Sequence, residues 1–121
     1  MPIEIDAIDN VQIAVPRAHE AECLFFYRSV LGLAEIEKPA GLKARGGAWF
    51  RIGALQLHVG VDAEPSPKSK RHICFLVASL DRARQELEGN RIAIEESGPA
   101  ERARRLFVCD PGGNRIEIAQ R

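Results

Sequence analysis

The sequence predicts an α+β fold made of two βαβββ units, whose curved, mixed and mainly antiparallel sheets enclose a concave face while the helices lie outside. Three observations carry that expectation. Apolar residues alternate in short, strand-length runs; two amphipathic segments of helix length each follow such a run; and the whole order returns after a proline-rich connector. Unit one takes residues 7–61, the connector 62–70 and unit two 71–120. The 121 residues read as one domain, long enough to bury a core.

Residues 8–15 form the first predicted strand, with Val11, Ile13 and Val15 on one face and Asn10, Gln12 and Ala14 on the other. After Pro16, the segment Ala18 to Leu31 sets Ala21, Leu24, Phe25 and Leu31 near helical spacing, and Gly32 supplies a C-terminal stop. The next strand, Leu33 to Glu37, is only weakly marked. Residues 48–61 read as a hairpin turning at Gly53-Ala54, and that turn sets residue 52 against 55 and 50 against 57. Phe50, Ile52, Leu55, Leu57 and Val59 then share the apolar face, opposite Trp49, Arg51, Gln56 and His58.

Unit two repeats this order. A strand at 71–77 alternates Ile73, Phe75 and Val77 with His72, Cys74 and Leu76. A helix at 79–89 follows, opened by Ser79 and stopped by Gly89-Asn90, with Leu80, Ala83 and Leu87 as its buried stripe. A short strand is expected at Ile92–Ile94. The last hairpin runs from Arg105 to Cys109, through the turn Asp110-Pro-Gly-Gly-Asn114, to Arg115–Ala119. Leu106, Val108, Ile116 and Ile118 face the helix, and Arg105, Phe107, Cys109, Arg115 and Glu117 face away.

Composition removes several function classes. Seventeen basic residues balance seventeen acidic ones, so nothing suggests a polyanion partner, and no nucleic-acid role is expected. No apolar run approaches membrane-spanning length and the N-terminus lacks a signal-peptide pattern, so the expected location is cytoplasmic, without membrane association. Cys23, Cys74 and Cys109 are too few and too scattered for a disulfide framework or a zinc knuckle, and are expected as reduced, mostly buried thiols.

Polar residues repeat along with the strands. Gln12 and His72 sit in the first strand of each unit, His58 and Glu117 in the last, and the two spacings differ by one residue. All four lie opposite the helix-facing side, so sheets curving together would gather them. An amide oxygen, two imidazoles and a carboxylate suit one divalent first-row cation: Zn, Ni, Mn, Fe or Co. The bland alternatives are equally concrete: a lone strand histidine is usually solvated, and Glu117 could merely pair with Arg105 or Arg115. His19, off the repeat, reads as a surface residue.

The segments Ile8-Asp-Asn-Val-Gln-Ile-Ala-Val, Phe25-Phe-Tyr-Arg-Ser-Val-Leu-Gly-Leu33, Leu55-Gln-Leu-His58, Arg71-His72-Ile and Asp110-Pro-Gly-Gly-Asn-Arg-Ile-Glu117 together resemble the vicinal oxygen chelate superfamily. That superfamily includes glyoxalase I, extradiol dioxygenases, methylmalonyl-CoA epimerase, fosfomycin-resistance proteins and bleomycin-binding proteins. The resemblance implies that Gln12, His58, His72 and Glu117 are metal ligands. It also implies a homodimer, in which each site draws on one chain or on both. Glyoxalase I differs in carrying a glutamate where His58 stands; extradiol dioxygenases and fosfomycin thiol transferases are expected to carry a histidine where Gln12 stands.

The expected activity is that of a metal-dependent lyase or isomerase acting on a small oxygen-chelating substrate, with Glu117 as base and His58 as the second acid or base. Two alternatives stay open: an extradiol-type dioxygenase using Fe(II) or Mn(II) at His58, His72 and Glu117, and a metal-free binder of a drug-like small molecule. Trp49 and Phe107 could stack on a planar substrate, and Arg51, Arg105 and Arg115 could clamp an anionic group, although each also has a purely structural reading. Cys74, beside His72, reads as a wall residue.

Overall fold

The computed structural model of the chain describes residues 1–64, 68–99 and 104–121. It contains two four-stranded sheets of matching topology. In unit one, β1 (Asn10–Pro16), β2 (Ala34–Ile36), β3 (Ala48–Ile52) and β4 (Leu55–Asp62) are ordered β1-β4-β3-β2. In unit two, β5 (His72–Val77), β6 (Glu95–Glu96), β7 (Arg105–Cys109) and β8 (Arg115–Gln120) are ordered β5-β8-β7-β6. The first strand runs parallel to the last in each sheet, β1 with β4 and β5 with β8, and the other pairs are antiparallel. Both sheets are open, leaving β1 and β5 at edges.

Both hairpins hold the expected register, with Ile52 opposite Leu55 and Phe50 opposite Leu57 in one, and Phe107 opposite Glu117 in the other. Side chains alternate faces along a strand, so this register delivers Phe50, Leu57, Leu106, Val108, Ile116 and Ile118 to one continuous core. Helix α1 (Glu20–Phe25) continues into a π turn at Phe26–Val30, and α2 spans Leu80–Gly89. They send Cys23, Phe26 and Tyr27, and Leu80 and Leu87, into the same core. Fully burying each such large apolar side chain contributes about 1.5–3 kcal/mol. Ser79 caps α2 by accepting a hydrogen bond from the Arg82 amide, as its position predicts.

Three local expectations are corrected. The segment Ala18 to Leu31 is a composite: a 3₁₀ turn at Arg17–His19, then α1, then the π turn. The strand expected at Ile92–Ile94 lies three residues later, at Glu95–Glu96. Its residues are used to close α2: Arg91 takes a positive φ of 59°, the Ile92 amide donates to the Leu87 carbonyl and the Arg91 amide to the Glu88 carbonyl. Ile92 and Ile94 then pack against the core from the loop. Of the cysteines only Cys23 is buried, while Cys74 and Cys109 are exposed on unit two. In the connector, β4 reaches Asp62, and residues 65–67 lie outside the described residues.

The turn between β7 and β8 ties the units together. Asp110, 3% exposed, accepts hydrogen bonds from the Tyr27 hydroxyl (2.5 Å), the Gly112 and Asn114 amides (2.8 and 2.9 Å) and the Asn114 side chain (2.9 Å). The Asn114 side chain also donates to the Ala14 carbonyl of β1. Gly112 lets the turn approach unit one, because a Cβ there would meet Pro16 Cδ at 2.8 Å and Cys23 Sγ at 3.2 Å. Burial, followed by the nearby Asp110 charge, pushes the Cys23 thiol up to about 12, which leaves it unreactive.

Candidate metal centre

The four polar residues of the repeat appear as two pairs, one on each sheet. Gln12 and His58 are register partners across the parallel β1–β4 ladder. His58 is buried and stacks face to face on Trp49, with ring centroids 3.7 Å apart and planes 3° apart. Its Nε2 lies 2.8 Å from Gln56 Oε1, and because that oxygen can only accept, Nε2 carries the hydrogen and Nδ1 keeps its lone pair. Burial, helped by Lys38 and opposed by Asp9, holds the imidazole below its ordinary pKa and so favours the neutral form a cation requires. The Gln12 amide lies over Gly60, where a Cβ would come 2.8 Å from Gln12 Nε2.

On the second sheet, His72 and Glu117 approach directly, with Nε2 and Oε2 3.4 Å apart. The His72 Nδ1 lies 2.8 Å from the Lys70 carbonyl and must donate to it, which leaves Nε2 of the neutral ring as an acceptor aimed at a carboxylate. Two acceptors so placed call for a cation between them, either a proton or a metal. Two ligands bonded to one ion at about 2.1 Å and a tetrahedral angle lie roughly 3.4 Å apart, so the pair fits a first-row metal.

Arg105 Nη1 donates to the other Glu117 oxygen at 2.6 Å. Burial by itself would raise the Glu117 pKa. Hydrogen bonding from Cys74 and Arg105, with the Arg105 charge and His72, outweighs it and holds the carboxyl below its ordinary range.

Most of the other predicted residues sort onto the same two faces. Phe107 is packed edge-on by His72 at 5.5 Å and covered by the Arg115 guanidinium at 4.1 Å, while Arg115 also reaches Glu95 at 3.6 Å. Trp49 gives one ring face to His58, which leaves only the other for a planar ligand. Arg51, opposite Gln56 in the β3–β4 ladder, is exposed.

Among the described residues of one chain, no three of His, Cys, Asp and Glu come together closely enough to hold a metal ion. The donor types fit, but as two half-sets. Sequence reasoning missed Gln56, although its place two residues before His58 on the same face was readable. It also missed the Tyr27–Asp110 contact, for which the sequence offered only a turn.

Two βαβββ units with four-stranded sheets of matching strand order define an α+β fold class. The chain belongs to the Glyoxalase/Bleomycin resistance protein/Dioxygenase superfamily, whose family model matches residues 7–118. A glyoxalase family protein from Bacillus anthracis is similar in structure, with 38% identity and a TM-score of 0.84 over 99% of this chain and 98% of that one. Glyoxylase I 4 of Arabidopsis thaliana is 28% identical, covering 97% of this chain and 72% of its own length. The fold also matches a mutant of the fosfomycin resistance protein FosX from Listeria monocytogenes, complexed with Mn(II) and 1S,2S-dihydroxypropylphosphonic acid. That match has a TM-score of 0.80 and 14% identity, over 97% of this chain and 93% of that one. Among the described residues no helix is long and apolar enough to cross a membrane.

Proposed function

We propose that the protein is a divalent-metal-dependent enzyme of the glyoxalase type, a lyase or isomerase acting on a small substrate that presents two neighbouring oxygens. The observation that carries this is the His72 Nε2 set 3.4 Å from a Glu117 oxygen, with the other imidazole nitrogen committed to the Lys70 carbonyl. His72, Glu117, Gln12 and His58 would hold one first-row ion, which supplies Lewis acidity to the substrate oxygens when bound. Glu117, kept ionised by the hydrogen bonds from Cys74 and Arg105, would take a proton from carbon and, as the carboxylic acid so formed, return that same proton to the neighbouring atom, while His58, held in the neutral form, is the second base for a proton on its own side of the substrate. Because neither half-set is complete in one chain, a homodimer is proposed in which Gln12 and His58 of one protomer face His72 and Glu117 of its partner.

Elemental analysis and solvent-deuterium exchange test this reading. Purified protein should carry close to one metal ion per chain and catalyse deuterium exchange at carbon next to a carbonyl in small α-hydroxycarbonyl compounds. His72→Ala should abolish both, and His19→Ala neither. The set His58, His72 and Glu117 also matches an iron dioxygenase's two histidines and carboxylate, so iron with substrate-dependent oxygen uptake would favour that alternative. Equal metal content in the His72→Ala and His19→Ala proteins would show the site to be misplaced.

A further inference from the structure

Glu117 sits in the middle strand of three on the outward face of sheet two, with Cys74 of β5 and Phe107 of β7 as its register partners. Its two closest charged neighbours come instead from the diagonals. His72 pairs with Arg115, two residues before Glu117 on β8, and Arg105 pairs with Ala119, two residues after it. Diagonal neighbours on one face lie within reach of long side chains. His72 and Arg105 therefore approach the carboxylate from opposite strands and opposite ends, and each meets a different oxygen. His72 Nε2 lies 3.4 Å from Oε2, and Arg105 Nη1 donates to Oε1 at 2.6 Å. Phe107 does not intervene, because its ring is covered by the Arg115 guanidinium and met edge-on by His72.

The last torsion of a glutamate is broad and roughly two-fold, so a carboxylate held only at its stem can offer either oxygen, or both, to a neighbour. A charge-assisted hydrogen bond on one oxygen removes that freedom. The geometry points to Arg105 as a positioning residue: by holding Oε1 it sets the plane of the Glu117 carboxylate, so that one oxygen, Oε2, is presented toward His72. That role rests on the proposed function for its chemical meaning. Four protein donors and two substrate oxygens already make up the octahedral complement of a first-row ion, and a second Glu117 oxygen would compete with the substrate for a place. Arg105 would keep that place open without touching substrate or ion itself.

Nitrogen NMR of the metal-free protein, at a pH where His72 is neutral, tests the positioning, since the Nε2 resonance responds to the carboxylate opposite it. Arg105→Gln should displace that resonance toward its position in Glu117→Ala. Arg105→Lys, which keeps a donor and the charge, should stay near the unaltered value, and Arg17→Gln, on the exposed 3₁₀ turn, should leave it unmoved. The Arg105 side chain is 37% exposed, and Arg105→Met, which keeps the stem and drops the donor, repeats the test should the polar replacement unsettle the strand. In a second arm Co(II) alone is titrated and its visible absorption recorded. Arg105→Gln should bind Co(II) roughly tenfold more weakly, as loss of a ligand's hydrogen-bond partner does. Its absorption should also weaken, because a carboxylate binding through both oxygens raises the coordination number and Co(II) then absorbs less. A displaced His72 resonance in a protein that takes up no Co(II) would defeat the metal reading and leave the positioning standing. A His72 resonance unmoved in both Arg105→Gln and Arg105→Met, or moved as far in Arg17→Gln, overturns the inference whatever the cobalt arm gives.

Discussion

Replacing Tyr27 by Phe and Asp110 by Ala, singly and together, tests how the two units are locked to each other. Tyr27→Phe removes one hydrogen bond to a buried carboxylate that keeps three further donors. Bonds to charged groups contribute about 1.5–3 kcal/mol, and the remaining donors place this one at the low end, about 1.5 kcal/mol. Asp110→Ala strands the Tyr27 hydroxyl and the Gly112 and Asn114 amides. At about 1–3 kcal/mol for each unsatisfied group, less where the turn reaches water, the loss is about 4 kcal/mol. That is a large share of the 5–15 kcal/mol typical of a domain. With Asp110 gone the hydroxyl has no partner to lose, so the double variant should match Asp110→Ala and the coupling should be about 1.5 kcal/mol. Urea denaturation of the metal-free protein measures all four corners. A Tyr27→Phe cost under about 0.5 kcal/mol, or strict additivity, would refute the claim that this contact fastens unit one to unit two.

His58 is held below its ordinary pKa of 6.5, so as pH falls the unfolded chain takes up a proton before the folded one. Stability of the metal-free protein should therefore decline from pH 6.5 downward, and His58→Gln should remove that slope. A second decline, below pH 4.5, belongs to Glu117, whose pKa is also depressed. Urea midpoints across this range check both, and a flat profile between about pH 5 and 7 in the unaltered protein contradicts the assignment. Gly60→Ala sets a methyl group against the flexible end of Gln12, so metal affinity should fall on the order of tenfold. Denaturation should find stability within about 1 kcal/mol of the parent, and unchanged metal affinity would mean that Gln12 is no ligand.

Much of this was legible because strand alternation and the internal repeat are strong signals. The pairing of 52 with 55 followed from the Gly53-Ala54 turn alone, and β5 and α2 followed from period and capping. The Ile92–Ile94 expectation failed because β-branched residues mark burial as readily as pairing, and here the helix C-cap had already claimed the backbone. The four donors were legible from the repeat, since their faces follow from strand parity. Their division into two half-sets was not legible, because strand parity fixes a residue's face and says nothing about how one sheet sits against another.

Complementation between half-site variants tests the central claim most directly. A chain carrying Gln12→Ala and His58→Ala is mixed with one carrying His72→Ala and Glu117→Ala, and mixed dimers are isolated by two affinity tags for elemental analysis. Neither variant alone should hold metal, whereas each mixed dimer should regain one intact site and one metal ion. Mixed dimers that form and hold none would contradict a site built from both protomers.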